Sequence, residues 1–182
     1  MEKRGAMELS IGTIVIIVLS MSMLIFGMIL LKNIFTGATD ITDMTNEQLK
    51  LQVSQLFGDD RKLVVYPDTR HIDVKQGEVS GFGIGVKNLL SGTQEGKFSY
   101  EVIVSDPDIR NKCGFSERDA EGWISTGRSE TGIGLAPGDV FSGKVLLTIP
   151  AGTNFCTFRY RVNVKFNNAD YASELMDVTI KS

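Results

Sequence analysis

An uncharged apolar run near the N-terminus constrains this chain more than any other feature. Residues 9–31 contain 23 consecutive positions without a charged side chain, and most of them are Ile, Val, Leu, Met or Phe. As a helix rising ~1.5 Å per residue, the run spans ~35 Å, which exceeds the ~30 Å hydrocarbon core of a bilayer. The roughly 120 residues of the C-terminal part match the size of one ordinary β-rich domain. The sequence therefore predicts one small domain on a single apolar helix, and it excludes a multi-span transporter.

Two interpretations of the run follow from its length and flanks. A cleaved secretory signal has an apolar region of about 7–15 residues with small residues at the cleavage point, whereas Lys32 and Asn33 follow this longer run. A permanent signal anchor fits the length. Lys3 and Arg4 precede the run and only Lys32 follows it closely, so the positive-inside rule places the N-terminus in the cytoplasm. The C-terminal domain is then predicted to be extracytoplasmic.

The first 18 residues support a third interpretation. A short basic leader, MEKRG, ends at Gly5 directly before Ala6 and the apolar run. This leader resembles the class III signal peptide of type IV prepilins and archaellins, and residues 11–13 with the Ile/Val run after them are similar to the start of mature archaellins. The resemblance implies cleavage between Gly5 and Ala6 by a prepilin-type peptidase. It also implies that the apolar helix anchors a monomer in membrane lipid and packs against sister helices in a filament core.

Two positions depart from the pattern of these families. Ser10 stands where bacterial pilins usually carry Glu, and Glu8 stands where archaellins usually carry Gly. The resemblance covers only about the first 30 residues, so the plain signal anchor stays an alternative.

Residues 36–60 are predicted to form a linker and a short amphipathic helix. Residues 36–40 are small and polar with one Gly, so the first helix is expected to weaken there. Thr45 and Gln48 fit a capping box, and Gly58 suits a C-terminal stop. Between them, apolar residues recur on one helical face: Leu49, Val53, Leu56 and Phe57. This face requires burial, either against the chain's own β-domain or against a neighbouring subunit.

From residue 61 onward the sequence favours β structure throughout. About seven to eight strands are expected, with turn signals between them and no helix, and residues 157–166 show the cleanest alternation of apolar and polar side chains. Residues 135–139 before one strand, and an aromatic-rich strand near the end, look like the immunoglobulin-like β-sandwiches of cell-surface proteins. The predicted fold class is mainly β, with an N-terminal transmembrane or pilin-like helix, a short amphipathic helix and an antiparallel Ig-like β-sandwich. The predicted domains are a leader at 1–5, an apolar helix at 6–35, the linker and amphipathic helix at 36–60 and the sandwich at 61–182.

The chain has two cysteines, Cys113 and Cys156, and both lie in the predicted outer domain. They allow one intramolecular disulfide, which would pin an irregular loop to the sheet and suit an oxidising exterior. Two buried free thiols are the alternative. Metal binding is not expected, because His71 is the only histidine and there is no Cys-x-x-Cys pair.

The sequence contains no recognisable catalytic constellation. It lacks a Gly-x-Ser-x-Gly elbow, a phosphate-binding glycine loop and a His-Glu-x-x-His motif, so neither an enzyme activity nor a cofactor is expected. The net charge of −3 provides no basic stripe for nucleic acid. Carboxylates gather between residues 106 and 121, where either a Ca²⁺ site or a solvated acidic loop is expected. Phe115 and Trp123 in the same stretch form a candidate recognition loop, with Trp123 alternatively a core residue.

These patterns together predict a non-enzymatic structural protein of the cell surface. The first hypothesis is a subunit of a type IV pilus- or archaellum-like filament, or a stator-type or minor-pilin-like accessory, processed after Gly5. The alternative is a single-pass, membrane-anchored binding or adhesion protein outside any filament. The expected partners are membrane lipid, sister or filament subunits, the prepilin-type peptidase and an envelope ligand of unknown identity, with no nucleic acid.

Overall fold

A computed structural model describes the backbone of residues 3–35, 41–91 and 96–182, and the side chains of residues 12–29, 41–91 and 97–182. The chain divides into two compact units, residues 1–39 and 40–182. The first unit contains helix α1 (Lys3–Phe35). Its window Gly12–Ile29 has a mean hydropathy of 2.4 with no residue buried, so by length and composition it is able to cross a membrane. The predicted weakening at residues 36–40 lies outside the described residues.

The second unit is mainly β. Its described elements follow one another in this order: α2 (Asn46–Leu56), β1 (Leu63–Tyr66), β2 (His71–Lys75), β3 (Val79–Lys87), β4 (Gly96–Val104), α3 (Ile109–Cys113), α4 (Glu117–Gly122), β5 (Ile124–Thr126), β6 (Ser129–Leu135), β7 (Val140–Thr148), β8 (Thr157–Phe166) and β9 (Ala169–Lys181).

The strands form two sheets that share one hydrophobic core. The four-stranded sheet has the order β1-β3-β7-β5, and the five-stranded sheet has the order β2-β9-β8-β4-β6. Rings from the two sheets meet between them: the centroids of Phe82 and Tyr160 are 6.4 Å apart, and those of Tyr100 and Phe141 are 5.9 Å apart. The predicted fold class is thus confirmed as a mainly β unit of two sheets that follows an N-terminal apolar helix in the sequence.

The pairing of β2 differs from the antiparallel prediction. β2 runs parallel to β9, in a register that joins His71 to Asp177 and Lys75 to Lys181. A tight hairpin forces its two strands to be antiparallel, but β2 and β9 are separated by most of the domain and carry no such constraint. Sequence alternation reports which side chains face the core and contains no information on strand direction.

The middle of the domain is more regular than the sequence indicates, and the expectation of no helix between the strands is wrong. α3 and α4 have five and six residues, which is too short for helical periodicity to register. The sequence pattern does not predict β6, because this strand lies at a sheet edge and exposes its first four residues. Its side chains therefore lack the alternation of apolar and polar types. The structure therefore has nine strands in its described ranges rather than seven or eight.

α2 packs on the outer face of the four-stranded sheet, against the glycines of β3. β3 alternates glycines with buried core residues, the latter being Phe82, Ile84 and Val86. A Cβ placed on Gly83 would lie 2.6 Å from Leu49 Cδ1, and one placed on Gly85 would overlap Val53 Cγ1. A second apolar cluster, separate from the core between the two sheets, forms at this face. It consists of Ile41, Met44, Leu49, Val53 and Val64. The amphipathic helix buries its apolar face on the chain's own β-domain.

The N-terminus of α2 has the predicted capping box. The backbone N–H of Gln48 donates to the Thr45 hydroxyl at 3.2 Å, and the Thr45 N–H donates to Gln48 Oε1 at 2.9 Å. The helix ends at Leu56, two residues before the predicted stop at Gly58.

Candidate functional site

Two loops that are distant in sequence meet at one end of the β-domain. The first, residues 105–123, connects β4 to β5 and contains α3 and α4, while the second, residues 149–156, connects β7 to β8. A disulfide joins Cys113 to Cys156 across them, with a Cα–Cα distance of 5.4 Å. The structure therefore has the predicted bridge and not two free thiols.

A capping box orders the N-terminus of α4, and a hydrogen bond ties its C-terminal part to the five-stranded sheet. Ser116 and Asp119 form a capping box in which the Ser116 N–H donates to Asp119 Oδ2 at 2.9 Å. The hydrogen bonds from Ser116 hold the pKa of the Asp119 carboxyl below its ordinary value. At the other end, the Tyr160 hydroxyl donates to the Ala120 carbonyl at 2.6 Å, and burial raises the pKa of Tyr160.

The second loop is held by side-chain amides. Gln76, in the turn after β2, donates from Nε2 to the Thr153 carbonyl at 2.5 Å and accepts from the Gly152 N–H at 3.0 Å. Asn154 donates from Nδ2 to the Cys113 carbonyl at 3.0 Å, beside the disulfide. Both loops are therefore tied to the sheet and to each other by polar contacts as well as by the covalent bridge.

The two aromatic residues of the predicted recognition loop lie together. The rings of Phe115 and Trp123 are edge-to-face with centroids 4.6 Å apart, and they pack against Phe158 at 5.4 and 5.9 Å. Both are half-buried against the main core. Trp123 is thus a core residue on one side and part of the loop surface on the other, so the two alternatives for it are compatible.

A cavity of about 330 Å³ opens between the two loops. Its lining consists of Gly114, Phe115, Asp119, Trp123, Gly152, Thr153 and Asn154. Phe155 follows Asn154 directly and is 65% exposed. Sequence reasoning missed Phe155, and the available signal was an aromatic residue within the loop segment Gly-Thr-Asn-Phe-Cys.

The carboxylates of the first loop engage separate partners. Asp106 pairs with Lys112 at 2.9 Å, Asp108 accepts from Asn111 at 2.7 Å, and Glu121 pairs with Arg128 at 2.5 Å. Two of these carboxylates are thus paired with cations, and the third accepts a hydrogen bond from a neutral amide. Within the described residues, no group of three or more His, Cys, Asp or Glu side chains is arranged to hold a metal ion.

The predicted processing site lies in the other unit. Gly5 and Ala6 fall within the first turns of α1. Cleavage between them stays a prediction from the sequence.

Comparison with known proteins gives a limited result. No protein-family model and no curated protein matches the chain. Among solved structures, Escherichia coli α2-macroglobulin matches over 66% of this chain and 7% of its own, at 11% identity and a TM-score of 0.43. The ASH/PapD-like domain of human CEP192 matches over 66% and 84%, at 12% identity and a TM-score of 0.38. A CARDB domain from Pyrococcus furiosus, in complex with di-metal ions, matches over 65% and 91%, at 16% identity and a TM-score of 0.38. Likenesses at this level assign neither a family nor an activity.

Proposed function

We propose that this protein is a non-enzymatic cell-surface protein of the type IV pilus- or archaellum-like filament class. It serves as a filament subunit or as a stator-type or minor-pilin-like accessory, and its leader is removed after Gly5. The apolar helix anchors it through membrane lipid and packs against sister or filament subunits, while the β-domain lies outside the cytoplasm.

The observation that carries the proposal is the exposed apolar surface of α1. No residue of Gly12–Ile29 is buried, so this surface requires an apolar environment supplied from outside the chain. The hydroxyls of Ser20 and Ser22 donate to the carbonyls of Ile16 and Val18 within the same helix, each at 2.8 Å. Their polar atoms are thus satisfied inside the helix, which favours residence in lipid or in a helix bundle.

Two further features support the proposal. The basic leader that ends at Gly5 resembles that of prepilins and archaellins, and a prepilin-type peptidase leaves the apolar helix on the mature chain. The disulfide between Cys113 and Cys156 suits an oxidising environment, as expected for an extracytoplasmic domain.

The decisive experiment is N-terminal mass spectrometry on protein extracted from its native membrane. We expect a mature chain that begins at Ala6. Gly5→Val should block this processing, because the resemblance to prepilin leaders places Gly5 directly before the cleaved bond. Gly12→Val is the matched control: a Cβ there meets no atom within 4 Å, and the position lies away from the cleavage point.

A mature chain that begins at any residue other than Ala6 would contradict the filament proposal. A mature chain that begins at Met1 would overturn membership of the filament class and leave a plain anchored protein. A start beyond residue 32 would show that the helix is a cleaved signal, and both hypotheses would then be wrong.

The cavity at the linked loops favours the second candidate, an anchored extracytoplasmic binding protein outside any filament. Its lining combines the rings of Phe115 and Trp123 with polar groups, as ligand sites commonly do. A Met1 start together with a ligand for this cavity would select this candidate.

A further inference from the structure

We propose that the cavity between the two disulfide-linked loops is a binding site for a neutral sugar unit of an envelope glycan. This inference goes beyond the filament proposal and concerns only the β-domain. It rests on the proposed function for one point, the placement of that domain outside the cytoplasm, where envelope glycans lie. Otherwise it rests on the shape of the cavity, its polar groups, its charge balance and the rigidity of its walls.

The aromatic surface suits the apolar face of a sugar ring. Phe115 and Trp123 line a cavity of about 330 Å³, which is at the small end of the ~300–1,000 Å³ typical of ligand pockets. This volume matches one ring and not a long peptide segment. The exposed Phe155 follows the lining residue Asn154 in the sequence, and the proposal assigns its ring to a second sugar unit of the polymer.

The polar groups suit hydroxyls. The described hydrogen bonds of the Asp119 carboxylate use Oδ2, and those of the Asn154 amide use Nδ2. Asp119 Oδ1 and Asn154 Oδ1 are thereby left as acceptors for ligand hydroxyls, since each oxygen carries two lone pairs. Both side chains line the same cavity as the two rings, so apolar and polar contacts are available to one ligand.

The charge balance favours a neutral ligand. Among the residues that the structure describes, no Lys or Arg side chain lines the cavity, so a phosphate, sulfate or carboxylate ligand would contact no cation in its lining. The one carboxylate, Asp119, lies within the electrostatic reach of Arg110 and Arg118. These two cations offset its attraction for a positively charged ligand.

The walls are already ordered without a ligand. The disulfide, the two hydrogen bonds of Gln76 and the hydrogen bond from Tyr160 to Ala120 fix the loops on the sheet. A preformed site loses little conformational entropy on binding, which helps a small ligand with few contacts.

Trp123 provides the readout, since it is the only tryptophan in the chain. The full chain is reconstituted in phosphatidylcholine nanodiscs, which avoids the sugar headgroups of glycosidic detergents. Its fluorescence is titrated with tetrasaccharides of glucose, mannose, galactose and N-acetylglucosamine. A sulfated dextran oligomer and tetralysine serve as the anionic and cationic comparators.

We expect a saturable change in Trp123 emission with at least one neutral tetrasaccharide and weaker binding of both charged comparators. Phe155→Ala and Asp119→Asn should each weaken that binding about tenfold, the change that follows from losing ~1.4 kcal/mol of contact. Leu51→Ala is the control: Leu51 is exposed to a similar degree but lies on α2, and its variant should bind within about twofold of wild type.

Three results would overturn the proposal. They are the absence of saturation with all four neutral tetrasaccharides, tighter binding of either charged comparator, and unchanged binding in both site variants. A thermal melt of each variant shows that its domain is folded. Because processing at Gly5 is measured separately, failure here leaves the filament proposal standing, and the converse also holds.

Discussion

Gly85 lies on β3 directly beneath α2, where an added Cβ would overlap Val53 Cγ1 and lie 2.9 Å from Val64 Cγ2. Val53 is β-branched and fully buried, so its χ1 angle is restricted and its surroundings leave it little room to move away. We therefore expect Gly85→Ala to lower the free energy of unfolding by about 1–3 kcal/mol, as overpacking does elsewhere. Urea denaturation of the full chain, followed by circular dichroism, measures this difference.

Gly58 offers the matched control for this substitution. A Cβ on Gly58 meets no atom within 4 Å, and its backbone does not adopt a positive φ. Gly58→Ala should therefore be neutral or should raise the free energy of unfolding by about 0.4–1 kcal/mol through the unfolded state. Equal denaturation midpoints for the two variants would show that the packing of α2 on β3 does not require glycine at position 85.

A second residue-scale prediction concerns the cross-strand ion pair of β8 and β9. Arg159 donates from Nε and Nη2 to the two carboxylate oxygens of Asp177, at 2.5 and 3.0 Å. The hydrogen bonds from Arg159 hold the pKa of the Asp177 carboxyl below its ordinary value. A lowered carboxyl pKa stabilises the fold above the unfolded value, and this contribution is lost as the pH falls through the folded value.

Asp177→Asn should therefore be less stable than wild type at pH 7, by about 0.2–1 kcal/mol for a partly exposed pair. The difference should begin to shrink near the ordinary aspartate pKa of about 3.9 and should vanish below the lowered pKa of folded Asp177, where both chains carry a neutral side chain. Thermal melts of the two proteins between pH 2 and pH 7 test this. A difference that stays constant over that range would assign the effect to packing rather than to charge.

At the scale of elements, the disulfide determines how the site loops are held. Cys113 and Cys156 are 43 residues apart, and closing a loop of that length stabilises a fold by about 4 kcal/mol in the chain-entropy model. We expect the double variant with Ser at both positions to lose free energy of unfolding of that order. Reduction should lower the gel mobility of the wild-type protein and leave the variant unchanged. Identical mobility of wild type with and without reductant would contradict the bridge.

The elements that sequence reasoning finds are those whose pattern is local. Residues 157–166 were predicted as the cleanest strand, and β8 has these bounds, because its side chains alternate between core and solvent. The capping box of α2 was equally visible. The missed elements lack such a pattern: α4 has six residues, and β6 exposes its first four. For α4 one local signal was present, since Ser116 and Asp119 have capping-box spacing.

The candidate site was predictable only in part for a related reason. Phe115, Trp123 and the cysteine pair were recognisable by residue type. The contributions of Asn154 and Phe155 were not, because they depend on a second loop that reaches the first through the fold. The role of Gln76 is less visible still, since its two hydrogen bonds join it to Gly152 and Thr153. These partners are separated from it by 76 and 77 positions in the sequence. Such convergence follows from topology, and no local pattern encodes it.

At the scale of the whole molecule, the two units differ in where their apolar side chains are covered. The apolar surface of α1 requires an environment from outside the chain, whereas the second unit covers its own. Residues Gly12–Ile29 of α1 have none of their apolar surface buried, whereas the second unit has its own core between two sheets and a second cluster under α2. All residues of these two clusters that the structure describes come from position 41 onward. The β-domain therefore contains the contacts that it needs to fold.

We accordingly predict that the chain without residues 1–39 folds as a detergent-free, monomeric domain with its disulfide formed. Its melting temperature should lie within about 3 °C of that of the full chain in nanodiscs, since a shift of that size corresponds to only ~1 kcal/mol in a domain this large. Size-exclusion chromatography and calorimetry of the two proteins measure this. Aggregation of the shortened chain, or a broad melt without a single transition, would show that α1 is part of the folding unit. An independent β-domain agrees with the proposed function, in which α1 contacts lipid and sister subunits, because the β-domain would then keep its fold whatever α1 contacts.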